Sequence, residues 1–97
     1  MSKLYLEGTK NLKLENENEI ELSYYLMECR KKDNQETLYG IQIQKKDGEK
    51  VEIENSGCIS YSKEFVLQMI HKMMEGTVTP ITMLYIIDDI MTEKLCS

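Results

Sequence analysis

The chain contains no tryptophan, one phenylalanine, one proline and one histidine. A lone imidazole leaves little material for histidine-based proton transfer. It also argues against a zinc site, which wants about four Cys or His ligands in close pairs. The five glycines are scattered, with neither the GxGxxG nor the GxxxxGK[ST] spacing that lets backbone N–H groups cradle phosphates. Cys29, Cys58 and Cys96 are odd in number, far apart and in no CxxC pair. A disulfide framework wants an even, dense set, so free and mostly buried thiols are expected. No apolar run reaches the ~18 residues that a membrane helix requires, and no membrane partner is expected. Met1 to Glu7 has no long apolar stretch before its first acid, so no signal peptide is expected and the expected compartment is the cytoplasm.

What is present fits one small globular domain spanning residues 1–97. Apolar residues make up 41% and charged residues 30%, enough of the former to build a core. The net charge is −5, a sign that opposes binding to phosphates, so no nucleic-acid partner is expected. The basic clusters Arg30-Lys31-Lys32 and Lys45-Lys46 fall where turns are expected.

Up to about residue 59 the pattern has the period of two that belongs to strands. Leu4 and Leu6 alternate with Tyr5 and Glu7 until Gly8 interrupts the run, and Leu12 and Leu14 form a second run. Asn16-Glu17-Asn18 has the chemistry of a turn. Ile20, Leu22, Tyr24 and Leu26 then share one face, while Tyr25, Met27 and Cys29 occupy the other. A strand apolar on both faces belongs in the middle of a sheet or under cover at that end. Tyr39, Ile41 and Ile43 make a half-buried strand, and Lys46-Asp47-Gly48-Glu49 is the clearest hairpin turn. Val51 and Ile53 alternate with Glu52 and Glu54 on the return strand.

Near residue 60 the spacing becomes helical. The first helix is expected over residues 63–75, with Ser62 as N-cap, Glu64 in the first turn and a stripe of Phe65, Val66, Met69, Ile70 and Met73. Gly76 is expected as a left-handed C-terminal cap. The second helix is expected over 80–93, with Thr79 as N-cap, Pro80 in the first position and Val78 stapled to Met83. Ile81, Leu84, Tyr85, Ile87 and Ile90 are expected to face inward. The fold class is therefore α+β: an antiparallel sheet of about four strands over residues 3–59, one face covered by a two-helix hairpin.

Several segments carry a family likeness. They are Tyr24-Tyr25 with Glu28, Tyr39-Gly40-Ile41-Gln42-Ile43, Ile59-Ser60-Tyr61-Ser62-Lys63-Glu64, and Val78-Thr79-Pro80-Ile81 running on to Ile87-Asp88-Asp89. Together they resemble a family of small uncharacterised clostridial proteins, domain of unknown function family 6514, over roughly residues 20 to 92. The resemblance implies a bacterial cytoplasmic protein with strands before helices. It implies no activity and no site residue.

Constellations with chemistry are few. His71 lies off the main stripe of the first helix, so partnership with Cys58, Ser60 or Ser62 is disfavoured against simple exposure. Asp88 and Asp89 are adjacent, which on a helix points them about 100° apart. Glu15, Glu17, Glu19 and Glu21 alternate along the chain, about 6.6 Å between neighbours if extended, close to phosphate spacing. The row suggests an acidic inhibitor that imitates nucleic acid, although the Asn16-Glu17-Asn18 turn would scatter it. The helical pair has the connection length of a helix-turn-helix, but its second helix opens without Lys or Arg. Met69, Met73, Met74, Met83 and Met91 crowd the two helices, and thioethers serve both irregular cores and adaptable contact surfaces. The expectation is a non-catalytic, cofactor-free protein acting by contact with another protein or with a second copy. Met74, Met83, Met91, Glu15, Glu19 and Glu21 are the candidate surface. A pocket between sheet and helices near Tyr39, His71 or Tyr85 is the ligand-binding or enzymatic alternative.

Overall fold

The computed structural model describes residues 2–13, 18–30 and 36–96, with side chains over 3–13, 18–30 and 36–90. Four long strands come first: β1 (Ser2–Lys13), β2 (Glu19–Arg30), β3 (Thr37–Asp47) and β4 (Lys50–Ser60). They form an antiparallel meander in the order β1-β2-β3-β4. Two helices follow, α1 (Lys63–Glu75) and α2 (Pro80–Cys96), both on one face of the sheet. The α+β class and the strand-then-helix order match the expectation.

The core lies between that face and the helices. Ile20, Leu22, Tyr24 and Leu26 of β2 and Ile41 and Ile43 of β3 meet Val66, Met69, Ile70 and Met73 of α1 and Met83 and Ile87 of α2. Strand periodicity explains this set, because alternate side chains of β2 all fall beneath the helices. Tyr24 is fully buried and its hydroxyl donates to the Val78 carbonyl at 2.9 Å, tying the central strand to the turn between the helices. Burial pushes the phenol above its ordinary pKa, because the anion would be poorly solvated there.

β1 departs from expectation. Gly8 does not end the strand. Leu6 pairs with Tyr25 and Gly8 with Tyr24, so Glu7 is an extra residue, a bulge. The bulge reverses the strand's faces. Before it, Leu4 and Leu6 share the open face with Met27 and Tyr25; after it, Gly8, Lys10 and Leu12 lie on the helix side with Tyr24, Leu22 and Ile20. The missing side chain at Gly8 is used by Met74, whose thioether fills the space a Cβ would need.

The β3–β4 hairpin centres on Gly48 and Glu49, with Asp47 opposite Lys50. Gly48 has φ 61° and Glu49 has no positive φ, the signature of a turn with glycine in its first central position. The pairing sets Ile43 against Glu54 and Gln44 against Ile53. Glu54 therefore points to the helix side, whereas Val51 and Ile53 lie on the open face and are more than half exposed.

The far end of β4 overturns the expectation of free, buried thiols. Cys29 and Cys58 are joined by a disulfide, and Cys58 is exposed. These cysteines belong to the two strands that flank β3, which in a regular sheet lie about 9–10 Å apart; their Cα atoms are 6.4 Å apart. Two register shifts in β4 close the gap. Gly57, at φ 70°, folds its carbonyl into the volume a side chain at Gly40 would occupy. Ser56 repairs the interrupted ladder, its hydroxyl accepting from the Ile41 N–H at 2.8 Å and donating to the Gly57 carbonyl at 2.8 Å. Cysteine spacing along the chain carries no trace of this proximity.

Ser62 caps α1 as expected, accepting from the Phe65 N–H at 3.2 Å. The C-terminal cap is shifted by one residue: Gly76 has φ −84°, and Thr77 takes the left-handed conformation at φ 53°. The bonds Val78 N–H to Met73 carbonyl (3.0 Å) and Thr77 N–H to Met74 carbonyl (3.2 Å) define a Schellman closure with Thr77 in the position glycine usually fills. A β-branched residue is strained there.

Two outcomes are expected. Reduction, or the double substitution Cys29→Ala and Cys58→Ala, should lower the unfolding free energy by about 3–4 kcal/mol, as chain-entropy loss predicts for a loop of this size; urea unfolding with and without reductant measures it, and equal midpoints would remove the bond from the stability account. Thr77→Gly should raise stability by about 1 kcal/mol by relieving the left-handed strain. A fall in melting temperature would mean instead that the contact from Lys10 Nζ to Thr77 Oγ1, 3.5 Å long, outweighs the strain.

Candidate interaction surface

Helix α2 is apolar around most of its circumference, through Ile81, Met83, Leu84, Tyr85, Ile86, Ile87 and Ile90. A helix of that kind ordinarily sits under cover on all sides. Here, among the described residues, only one side is covered. Pro80 and Met83 are fully buried, Ile87 is nearly so, and Ile86 and Ile90 pack against the core. Ile81, Leu84 and Tyr85, expected inward, are 67%, 42% and 73% exposed. The entry of the helix decides the matter. Val78 packs on the core, the Met83 N–H bonds to the Thr79 carbonyl at 3.0 Å, and the row Pro80–Met83–Ile87–Ile90 turns to the sheet. With apolar residues on every side, periodicity alone could not choose between rows.

The outward residues form a single stripe, since 81, 84, 85 and 88 have the i, i+3, i+4, i+7 spacing of one helix face. Between this stripe and β4 lies an open groove of about 490 Å³, lined by Glu54, Ile81, Leu84, Tyr85 and Asp88. Its walls are largely apolar, and the two groups among its described lining residues that are charged at neutral pH, Glu54 and Asp88, are both carboxylates. Neither Glu54 nor Asp88 has an ion-pair partner among the described residues.

The uncovered face of the sheet carries a second, more broken apolar surface. Leu4 and Leu6 stand on β1 and Val51 and Ile53 on β4, at opposite edges. Between them, Tyr25 and Met27 of β2 continue the apolar patch of Leu4 and Leu6, while Ser23 and the pair Gln42 and Gln44, whose side-chain amides bond to each other at 2.8 Å, separate it from Val51 and Ile53. Polar side chains on β2 and β3 split that face into two apolar parts, whereas the α2 stripe is continuous.

One family model, described as a family of unknown function (DUF6514), matches residues 3–93, which takes in all four strands, α1 and most of α2. The chain belongs to the DUF6514 family. No curated protein and no solved structure matches it.

In this DUF6514 chain the described residues among those expected at a contact surface do not gather into one. Met83 is fully buried, which corrects its assignment to the surface: it belongs to the core against which Val78 also packs. Met74 is half-buried and occupied with the notch at Gly8. Met91 falls outside the residues whose side chains are described, as do Glu15 and Glu17. Glu19 and Glu21 are exposed on β2, but each is interleaved with a base, Glu19 paired across the sheet with Lys13 and Glu21 with Lys46. Open hollows at that end mix Glu19, Glu21 and Glu49 with Lys46 and Lys50. That mixture is unlike the unbroken negative charge of a nucleic-acid strand.

The three residues proposed for a sheet–helix pocket are likewise dispersed. Tyr39 packs on the core from β3 and Tyr85 points away from it. His71 is exposed on α1, its Nε2 4.0 Å from the Glu7 carboxylate. Cys58, the thiol considered as its partner, is bonded to Cys29. Tyr61 is exposed and its hydroxyl donates to Glu36 at 3.3 Å. The negative charge of Glu36, together with that bond, raises the phenol's pKa.

The residues missed were Ile81, Leu84 and Tyr85. The signal available for them was an excess: α2 has more apolar side chains than one buried stripe can use. Met83→Ala should cost about 2–5 kcal/mol by opening a cavity, whereas Leu84→Ser with Tyr85→Ser should stay within about 0.5 kcal/mol per site. Denaturant midpoints distinguish the two rows, and the reverse order would mean that the stripe belongs to the core.

Proposed function

We propose that this protein is a non-catalytic contact module of the bacterial cytoplasm, one that works by offering the outer face of α2 to another protein. The observation that carries this reading is the exposed stripe Ile81, Leu84 and Tyr85 on a helix whose composition calls for cover on both sides. Aromatic residues of this kind are frequent anchors of protein interfaces.

The dimensions support it. The molecule measures 50 × 32 × 17 Å, a slab one sheet and one helix layer thick. Its radius of gyration is 14.4 Å, against about 12.5 Å for a compact chain of this length. It exposes 6799 Å², where a compact monomer of 11.4 kDa would expose roughly 5,800 Å². The surplus is comparable to the about 800 Å² that each partner covers in a standard interface. In a reducing cytoplasm the Cys29–Cys58 pair is expected to spend much of its time as the dithiol, so contact through α2, on the opposite face of the sheet from that bond, does not require it.

The test compares two baits in affinity capture from the native host: the wild-type chain and the variant with Leu84→Ser and Tyr85→Ser. At least one protein, or the untagged chain itself, is expected to be lost by about tenfold or more with the variant, the effect of removing anchor residues worth above ~1.4 kcal/mol. Equal recovery of every protein by the two baits would refute the reading.

A further inference from the structure

The groove beside the stripe has a chemistry of its own, and it narrows what is able to fill it. Resting on the reading of α2 as a contact face, we infer that the groove between α2 and β4 receives a cationic amphipathic helix of another protein, large apolar side chains against Ile81, Leu84 and Tyr85 and a Lys or Arg at each of Glu54 and Asp88.

The register places Glu54 here. Glu54 stands opposite Ile43, on the helix side of the sheet, at the edge strand where an apolar residue would have extended the core. It is half-exposed and faces the groove rather than a base. Asp88 closes the other side, one turn beyond Leu84 on the same face of α2. An apolar groove bracketed by two carboxylates, with no Lys or Arg lining it among the described residues, is complementary to an apolar segment bearing positive charge. The ridge made by residues 81, 84, 85 and 88 has the spacing against which a second helix packs, its side chains entering the gaps between successive turns.

The same charges disfavour the other occupants. A second copy would bring another stripe flanked by Glu54 and Asp88 on a chain of net charge −5, setting like charge against like. An anionic membrane surface and a nucleic acid would be repelled for the same reason. On the open face of the sheet Gln42, Gln44 and Ser23 separate the patch of Leu4, Leu6, Tyr25 and the largely buried Met27 from Val51 and Ile53, so the apolar surface there is split into two parts, and it lacks the paired carboxylates that flank the groove.

The experiment titrates the full-length ¹⁵N-labelled protein with two synthetic helical peptides. Both carry the same leucines at i, i+3, i+4 and i+7; one is flanked by Lys and Arg, the other by Glu. The basic peptide is expected to give saturable amide shifts centred on Glu54, Ile81, Leu84, Tyr85 and Asp88, weakening several-fold as salt is raised across the physiological range. The acidic peptide is expected to give none. The double variant Glu54→Lys and Asp88→Lys, at solvent-accessible positions and checked for native dispersion, should exchange the two preferences. No binding by the basic peptide, equal binding by both, or shifts mapping elsewhere would overturn the inference. A dimer seen by sedimentation and broken by Leu84→Ser with Tyr85→Ser would also overturn it, placing a second copy on the face while leaving the contact function intact. If neither copy nor any captured host protein responds to those serine substitutions, the contact function falls as well.

Discussion

The burial of one row of β2 beneath two helices is the contact on which the rest of the molecule depends. Ile20, Leu22, Tyr24 and Leu26 lie in a row along β2, one of the two central strands, and each helix finds its seat against them or their β3 neighbours Ile41 and Ile43. Tyr24 adds direction to what would otherwise be a greasy contact. Its hydroxyl reaches the Val78 carbonyl, so the turn between the helices is fixed relative to the central strand. A buried hydroxyl without that acceptor would carry a desolvation cost of about 1–3 kcal/mol, which makes the position of the turn part of the core's own satisfaction.

From that anchor the orientation of α2 follows, and with it the surface the protein presents. The turn delivers Pro80 and Met83 to the sheet, and the helix is then committed to burying the row that includes Ile87 and Ile90. Ile81, Leu84 and Tyr85 are left outside for a geometric reason: one layer of helices on one face of a sheet covers only the inner side of each helix. In a larger domain a third layer would cover the stripe. Here the 17 Å thickness of the slab leaves no such layer. The exposed stripe is thus a consequence of architecture, and the carboxylates of Glu54 and Asp88 beside it give the surface a sign as well as an area.

The other end of the molecule shows how local irregularities serve long-range proximity. The shifts in β4, the glycine at position 40 and the carbonyl of Gly57 bring Cys58 over β3 to Cys29. The bulge at Glu7 acts similarly on β1, turning Leu4 and Leu6 to the open face and leaving a notch at Gly8 that Met74 fills. In both places the departure from a regular strand sits beside a glycine, where the missing side chain makes room for a neighbour.

The alternation of Ile20 to Leu26 and of Tyr39 to Ile43, the Ser62 cap and the stripe from Val66 to Met73 determined by themselves that four strands would precede two helices, and the quoted motifs determined the family. These signals are local: alternation, capping and turn chemistry act over a few residues and survive in any context. The outward face of α2, the Glu54–Asp88 groove, the bulges of β1 and β4 and the Cys29–Cys58 bond were decided only in three dimensions. An evenly apolar helix has no preferred side until a sheet is laid against it, and two cysteines with a sequence separation of 29 have no preferred partner until an intervening strand bends.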